Sequence, residues 1–227
     1  MYNIENYKNY LDKLKHYYDD RDISHGWNHV LQVCKNSLLI ASYEKITNIN
    51  KLNIIVICSL GHDIWDHKYV DNSELLKENF RNSLLELKFS VEDIESIIRI
   101  IDSISFSKEY KLRLKGERFK FNNNDELKLR NVVSDADKLE SLGLVCIERM
   151  IEYEININKN HSIESHIEHI TKHCNEKLYL LIDKNYIKTD YAKMLGNVLL
   201  NEMKNIVENK VKLQNFIKLY LEKIKYK

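Results

Sequence analysis

The stretch LNIIVICSLGHDIWDHK, residues 52–68, decides the fold. Ile54 to Leu60 is apolar nearly all round a helical wheel, so a helix over about 51–66 is expected at the centre of the molecule. His62, Asp63, Asp66 and His67 follow at once. Burying imidazoles and carboxylates at the end of a core helix costs free energy unless something offsets it. A divalent cation would, being the largest local charge a site can hold. A solvated helix C-terminus, where His and Lys complement the dipole, is the other reading. Successive side chains diverge by about 100° on a helix, so His62 and Asp63 reach one ion only from a groove that both face.

Outward from this stretch, composition points to helices. The 227 residues include no Pro and 5 Gly, where average usage gives about 11 and about 16. A turn-rich β-sandwich or barrel needs both, and a phosphate loop needs glycines. An all-α fold remains, and the length suits a single domain over 1–227. Hydrophobic content of 44% and charged content of 30% are those of a globular chain. With 35 Lys+Arg against 34 Asp+Glu, a polybasic arm and an acidic tail are both excluded as dominant themes. Cys34, Cys58, Cys146 and Cys174 are far apart without a CxxC and read as buried thiols of a reducing compartment. The N-terminus, MYNIENYKNYLDKLKHYY, lacks the signal-peptide pattern. No apolar run approaches the roughly 18–20 residues of a membrane span. A cytoplasmic protein with no membrane partner is expected.

Helical periodicity predicts helices over 3–18, 27–46 and 51–66. A fourth opens at Asp71 with Glu74 in capping-box spacing. A fifth opens at Ser90 and ends near Phe106. Residues 107–124, charged and ending in three Asn, read as a loop. Helices then follow over about 125–154 and 161–185, and from Thr189, a natural N-cap, to about 223.

Two further places set metal-ligand side chains among apolar ones. In SHGWNHVLQV, residues 24–33, His25 and His29 are four apart and His29 leads into an apolar stripe. In NVVSDADKLESLG, residues 131–143, Asp135 and Asp137 lie within the stripe of Val132, Val133, Leu139 and Leu142. The order is His, His-Asp, Asp, on separate predicted helices.

That set resembles the HD-domain superfamily of metal-dependent phosphohydrolases, and within it the small single-domain YedJ-like branch. The resemblance rests on HxxxHV (His25 to Val30), HDIxDxK (His62 to Lys68), ISFS (Ile104 to Ser107) and DADxLxxLG (Asp135 to Gly143). It continues with Arg149, HxxEKLxxL (His173 to Leu181) and a Thr-led C-terminal helix, and spans about 20–210. It implies an HD-domain helical bundle around one divalent metal. His29, His62, Asp63 and Asp137 match the four ligands. Asp137 is taken over Asp135 for its Ala-Asp-x-Leu context. Asp135 would then orient a ligand or the activated water, and His25 would support a ligand or touch substrate.

Two imidazoles and two carboxylates without thiolate suit Mn, Mg, Fe, Co, Ni or Zn and do not choose among them. Such an ion activates water and stabilises charge on a phosphoryl group. Asp66, one turn beyond His62–Asp63, is the candidate acid/base, working beside Asp63. Lys68, Lys138, Arg149 and Lys177 are the candidate phosphate-binding cations.

The expected function is therefore phosphohydrolysis of a nucleotide or other small phosphoester, a nucleoside triphosphate pyrophosphohydrolase being one form of it. A non-catalytic nucleotide-binding regulatory module is the alternative. Nucleic acid is not an expected partner, and an oligomer is left open. The chain departs from the family at AKMLGNVLLNEM (residues 192–203), where relatives often carry a basic residue, and lacks the glycines they often show after Arg149. The basic and aromatic residues of 107–120 read as a solvated loop. His161, His166, His169 and His173 read as a polar or partly buried helix face, with His173 alone in the family pattern.

Overall fold

In the computed structural model, which describes residues 2–19, 21, 26–66, 72–157 and 161–225, every regular element among the described residues is helical. The chain divides into two compact units, residues 1–137 and 138–227.

The first unit is organised around the helix that Ile54–Leu60 announces. This is α3 (Ile49–Gly61), preceded by α1 (Lys8–Leu14) and α2 (Trp27–Tyr43). Asn48 caps α3 by accepting the Lys51 N–H. Residues 54–61 are all buried, as expected of a helix covered on every side. α2 packs along it, as do α1 and α5 (Val91–Asp102). α4 (Ser73–Glu86) packs on α5. Its cap is Asn72, whose side chain accepts the Leu75 N–H; Asp71, the expected cap, lies outside the described residues. Ser90 caps α5 as its spacing predicts.

Part of the expected loop 107–124 is helix. α6 (Phe106–Leu114) starts where Ser105 accepts the Lys108 N–H. Its charged residues misled because one of them is buried: Glu109 pairs with Arg130, itself buried, at 2.8 Å. α7 (Asn124–Leu139) opens with the Asn123 side chain accepting the Glu126 N–H.

The second unit contains α8 (Leu144–Ile157), α9 (Ile163–His173), α10 (Leu180–Asp183), α11 (Asp190–Val207) and α12 (Lys210–Lys225). Three expected long helices are interrupted. The helix of 125–154 breaks at Gly143, whose φ of 81° is open to glycine and strained for other residues. The helix of 161–185 passes through a π-turn, Cys174–Leu178. The last helix breaks at Glu208 and Asn209, and Asn209 caps α12. All four cysteines are free and buried. Burial pushes the Cys34 thiol up to about 12 and the Cys146 thiol to about 11, so neither is a thiolate at neutral pH. No helix among the described residues is long and apolar enough to cross a membrane.

Candidate metal centre

The centre lies in the first unit, at the end of α3. Gly61 closes that helix against Phe80, whose ring a Cβ would meet at 2.7 Å, so only glycine lets the chain approach so closely. Residues 62–65 then form turns. Two anchors from the N-terminal segment hold the end of α3 and those turns. The Tyr18 hydroxyl donates to the Leu60 carbonyl (2.6 Å), and Arg21 Nη2 donates to the Ile64 carbonyl (2.6 Å).

His62 takes the key orientation. Its Nδ1 lies 2.8 Å from the Ser59 carbonyl. A carbonyl only accepts, so the ring proton sits on Nδ1 and the Nε2 lone pair faces away from it. That Nε2 is buried and has no hydrogen-bond partner among the described residues. It stands 3.4 Å from Asp63 Oδ2 and 3.7 Å from Asp137 Oδ1. His29, from α2, brings its Nε2 to 3.8 Å from Asp63 and 3.5 Å from Asp137. The two rings are edge to face, 5.3 Å between centroids. Side-chain exposure is 6% for His29, 2% for His62, 14% for Asp63 and 28% for Asp137. The pocket is thus nearly closed, with Asp137 at its open side.

A lone pair set against two carboxylates is repulsive unless a cation lies between them. Burial alone would pull the His62 imidazole down, but Asp63, Asp137 and the Ser59 carbonyl outweigh it and hold it above its ordinary value. A divalent ion meets the same demand without a proton. His29, His62 and Asp63 form a group able to hold one, their ligand atoms lying within 4.8 Å of one another. The donors present therefore fit a divalent metal.

Of the two aspartates of DAD, Asp137 is the one beside both imidazoles. Asp135 is fully buried on the same helix. Side chains two residues apart leave a helix about 200° apart, so the two cannot face the same point. Asp66 is near enough to act electrostatically on His62. His25 and Lys68 lie outside the described residues. Lys138, Arg149 and Lys177 belong to the second unit. Arg149 donates to the Glu140 carbonyl at 3.2 Å, and both Arg149 and Lys177 lie close enough to Cys146 to act on its thiol.

Several supporting residues gave no sequence signal. Arg130 donates twice to the Ser103 carbonyl (3.1 and 2.7 Å) as well as to Glu109, tying α7, which carries Asp137, to the α5–α6 corner. Ser134 donates to the Ile104 carbonyl at the same corner, within ISFS. Trp65, in the HDIWD run, donates to Asp102 (2.9 Å), which also accepts from Lys77 (3.1 Å).

No family model matches the chain. A Bacillus subtilis protein, the uncharacterized protein YpgQ, is 27% identical over 178 residues, 78% of each chain. Solved structures that resemble it include YpgQ in complex with ADP, at 25% identity, with a TM-score of 0.64 over 87% of this chain and 94% of that one. An HD-superfamily hydrolase from Bacillus thuringiensis, at 22% identity, has a TM-score of 0.66 over 93% and 97%. The chain shares its fold with these proteins, an HD-superfamily hydrolase among them. His62 and Asp63 lie just past the end of α3. His29 and Asp137 reach them from α2 and α7.

Proposed function

We propose that this protein is a metal-dependent phosphohydrolase acting on a nucleotide or similar small phosphoester, with nucleoside triphosphate cleavage to monophosphate and pyrophosphate as its most specific form. The observation that carries the reading is the buried His62 Nε2, without a hydrogen-bond partner among the described residues and set against two carboxylates and a second imidazole. The complex of YpgQ with ADP supports a nucleotide.

His29, His62, Asp63 and Asp137 would hold the ion. Bound there, it supplies Lewis acidity and lowers the pKa of water. Ser59 fixes the His62 tautomer from behind, which strengthens the lone pair that faces the ion. Asp66 takes the proton from the attacking water as the new P–O bond forms and the ester P–O bond breaks. Asp135 orients a ligand from behind. His25 supports a ligand or touches substrate, and Lys68, Lys138, Arg149 and Lys177 bind phosphate oxygens.

The test is phosphate and pyrophosphate release from a nucleotide panel, using chelator-stripped protein reloaded with Mn2+. Turnover that Asp63→Ala abolishes is expected. No turnover of any phosphoester, with Asp63→Ala indistinguishable, overturns the enzyme reading. Tight nucleotide binding without product would make the protein a nucleotide-binding regulatory module instead.

A further inference from the structure

The second unit holds another histidine cluster, separate from the His62–Asp63 centre. Ser162 opens α9 in a capping box with Ser165, which fixes the direction in which the chain enters the helix. His161 sits just before that cap and is half-buried, while His166, one turn into α9, is fully buried. Glu154, on α8, is buried with only 4% of its surface exposed.

His166 stands between the other two. Its Nδ1 is 2.9 Å from Glu154 Oε2. Its Nε2 is 3.1 Å from His161 Nδ1. A carboxylate only accepts, so Glu154 favours the ring proton on Nδ1 and leaves the lone pair of Nε2 directed toward His161. Burial holds the His166 imidazole below its ordinary value, which keeps it neutral.

We propose that His161 Nδ1 and His166 Nε2 form a second metal site for an imidazole-preferring transition-metal ion such as Zn2+, with Glu154 orienting His166 from behind. Two nitrogens each at about 2.0–2.1 Å from one ion stand about 2.8–3.4 Å apart, for cis to tetrahedral angles. The 3.1 Å separation falls in that range. A carboxylate behind a ligating imidazole is the usual arrangement that fixes its tautomer and raises its basicity. With two imidazole nitrogens as its donors among the described residues, the site favours such an ion over Mg2+ and Ca2+, which take oxygen. The neighbouring His169 and His173 do not extend it: their rings stack nearly parallel, at 4° and 6.2 Å, so faces rather than nitrogens meet.

The test is Zn2+ uptake by chelator-stripped, full-length protein, measured by equilibrium dialysis. His161→Ala is the main variant, since its side chain is only half-buried and its loss leaves the Glu154–His166 contact in place. It is expected to bind one equivalent fewer than the wild type, and Glu154→Gln to weaken that equivalent about 10–100-fold. His62→Ala is expected to keep it. Co2+ absorption gives a second readout: the nitrogen-site bands should vanish in His161→Ala and persist in His169→Ala. Equal Zn2+ stoichiometry and affinity in His161→Ala and wild type overturns the proposal, as does loss of the ion in His169→Ala with retention in His161→Ala. If the His62–Asp63 centre binds nothing, the wild type takes one equivalent and His161→Ala none, so the two sites fail independently.

Discussion

In the first unit the His62 ring is backed by a neutral carbonyl and faces two carboxylates; in the second the His166 ring is backed by a carboxylate and faces another imidazole. The same side chain is therefore prepared for different ligands. The His62–Asp63 centre concentrates negative charge on its open face, which demands a cation and offers it nitrogen and oxygen donors together. The Glu154 cluster keeps its charge behind the ring and offers neutral nitrogen. Position relative to the carboxylate, more than the number of histidines, separates a site suited to activating water from one suited to holding an ion.

Paired substitutions at the two clusters give the largest effect. Asp63→Asn should lower phosphoester turnover at least about 10³-fold, while Glu154→Gln should leave it unchanged; a comparable loss in both, read as kcat/KM with Mn2+ saturating, would break the contrast. Next is Arg130→Met, which strips Glu109 of its buried partner and removes the two bonds from α7 to the Ser103 carbonyl at the α5–α6 corner. Glu109 keeps Arg113 at 2.6 Å, so a stability loss of about 3 kcal/mol is expected. Urea denaturation measures it, and the metal affinity of the His62–Asp63 centre should fall with it while that of the second cluster does not. Gly61→Ala should cost about 1–3 kcal/mol, because a methyl group would press on Phe80 and Ile101; thermal unfolding of the stripped protein reads this without the metal's contribution.

The smallest effect supplies the acid background against which either cluster is read. Arg81 pairs with Glu95 near the surface, and its hydrogen bond holds the Glu95 carboxyl below its ordinary value. A depressed folded-state pKa contributes stability above the unfolded pKa and loses it as pH falls through the folded one. Arg81→Gln should flatten the stability profile below about pH 5 by no more than about 1 kcal/mol. A larger change would mean that the pair is coupled to the core.

Much of this architecture is written in composition and period. The absence of Pro, the scarcity of Gly and the all-round apolarity of residues 54–60 specify helices and name the one that lies at the centre, because a helix without a polar face has no stable place but the interior. His62 and Asp63 stand out for the same reason, as polar groups where burial is costly. Element ends were harder to read. Periodicity runs on through Gly143, residues 174–178 and Asn209, where a positive-φ glycine, a π-turn and a side-chain cap interrupt it. α6 was hidden because Glu109 looks solvated until Arg130, 21 residues later, is seen to bury it.

What the order of residues determined alone is the helical class, the buried α3 and the identity of the polar groups that its end must accommodate, since these depend on local pattern and on solvation. Tertiary structure decided which carboxylate meets which imidazole. Asp137 rather than Asp135 stands beside His62, and Glu154 lies behind His166 rather than in front of it. Such choices turn on a few ångströms between segments distant in the chain, and no periodicity within one segment encodes them.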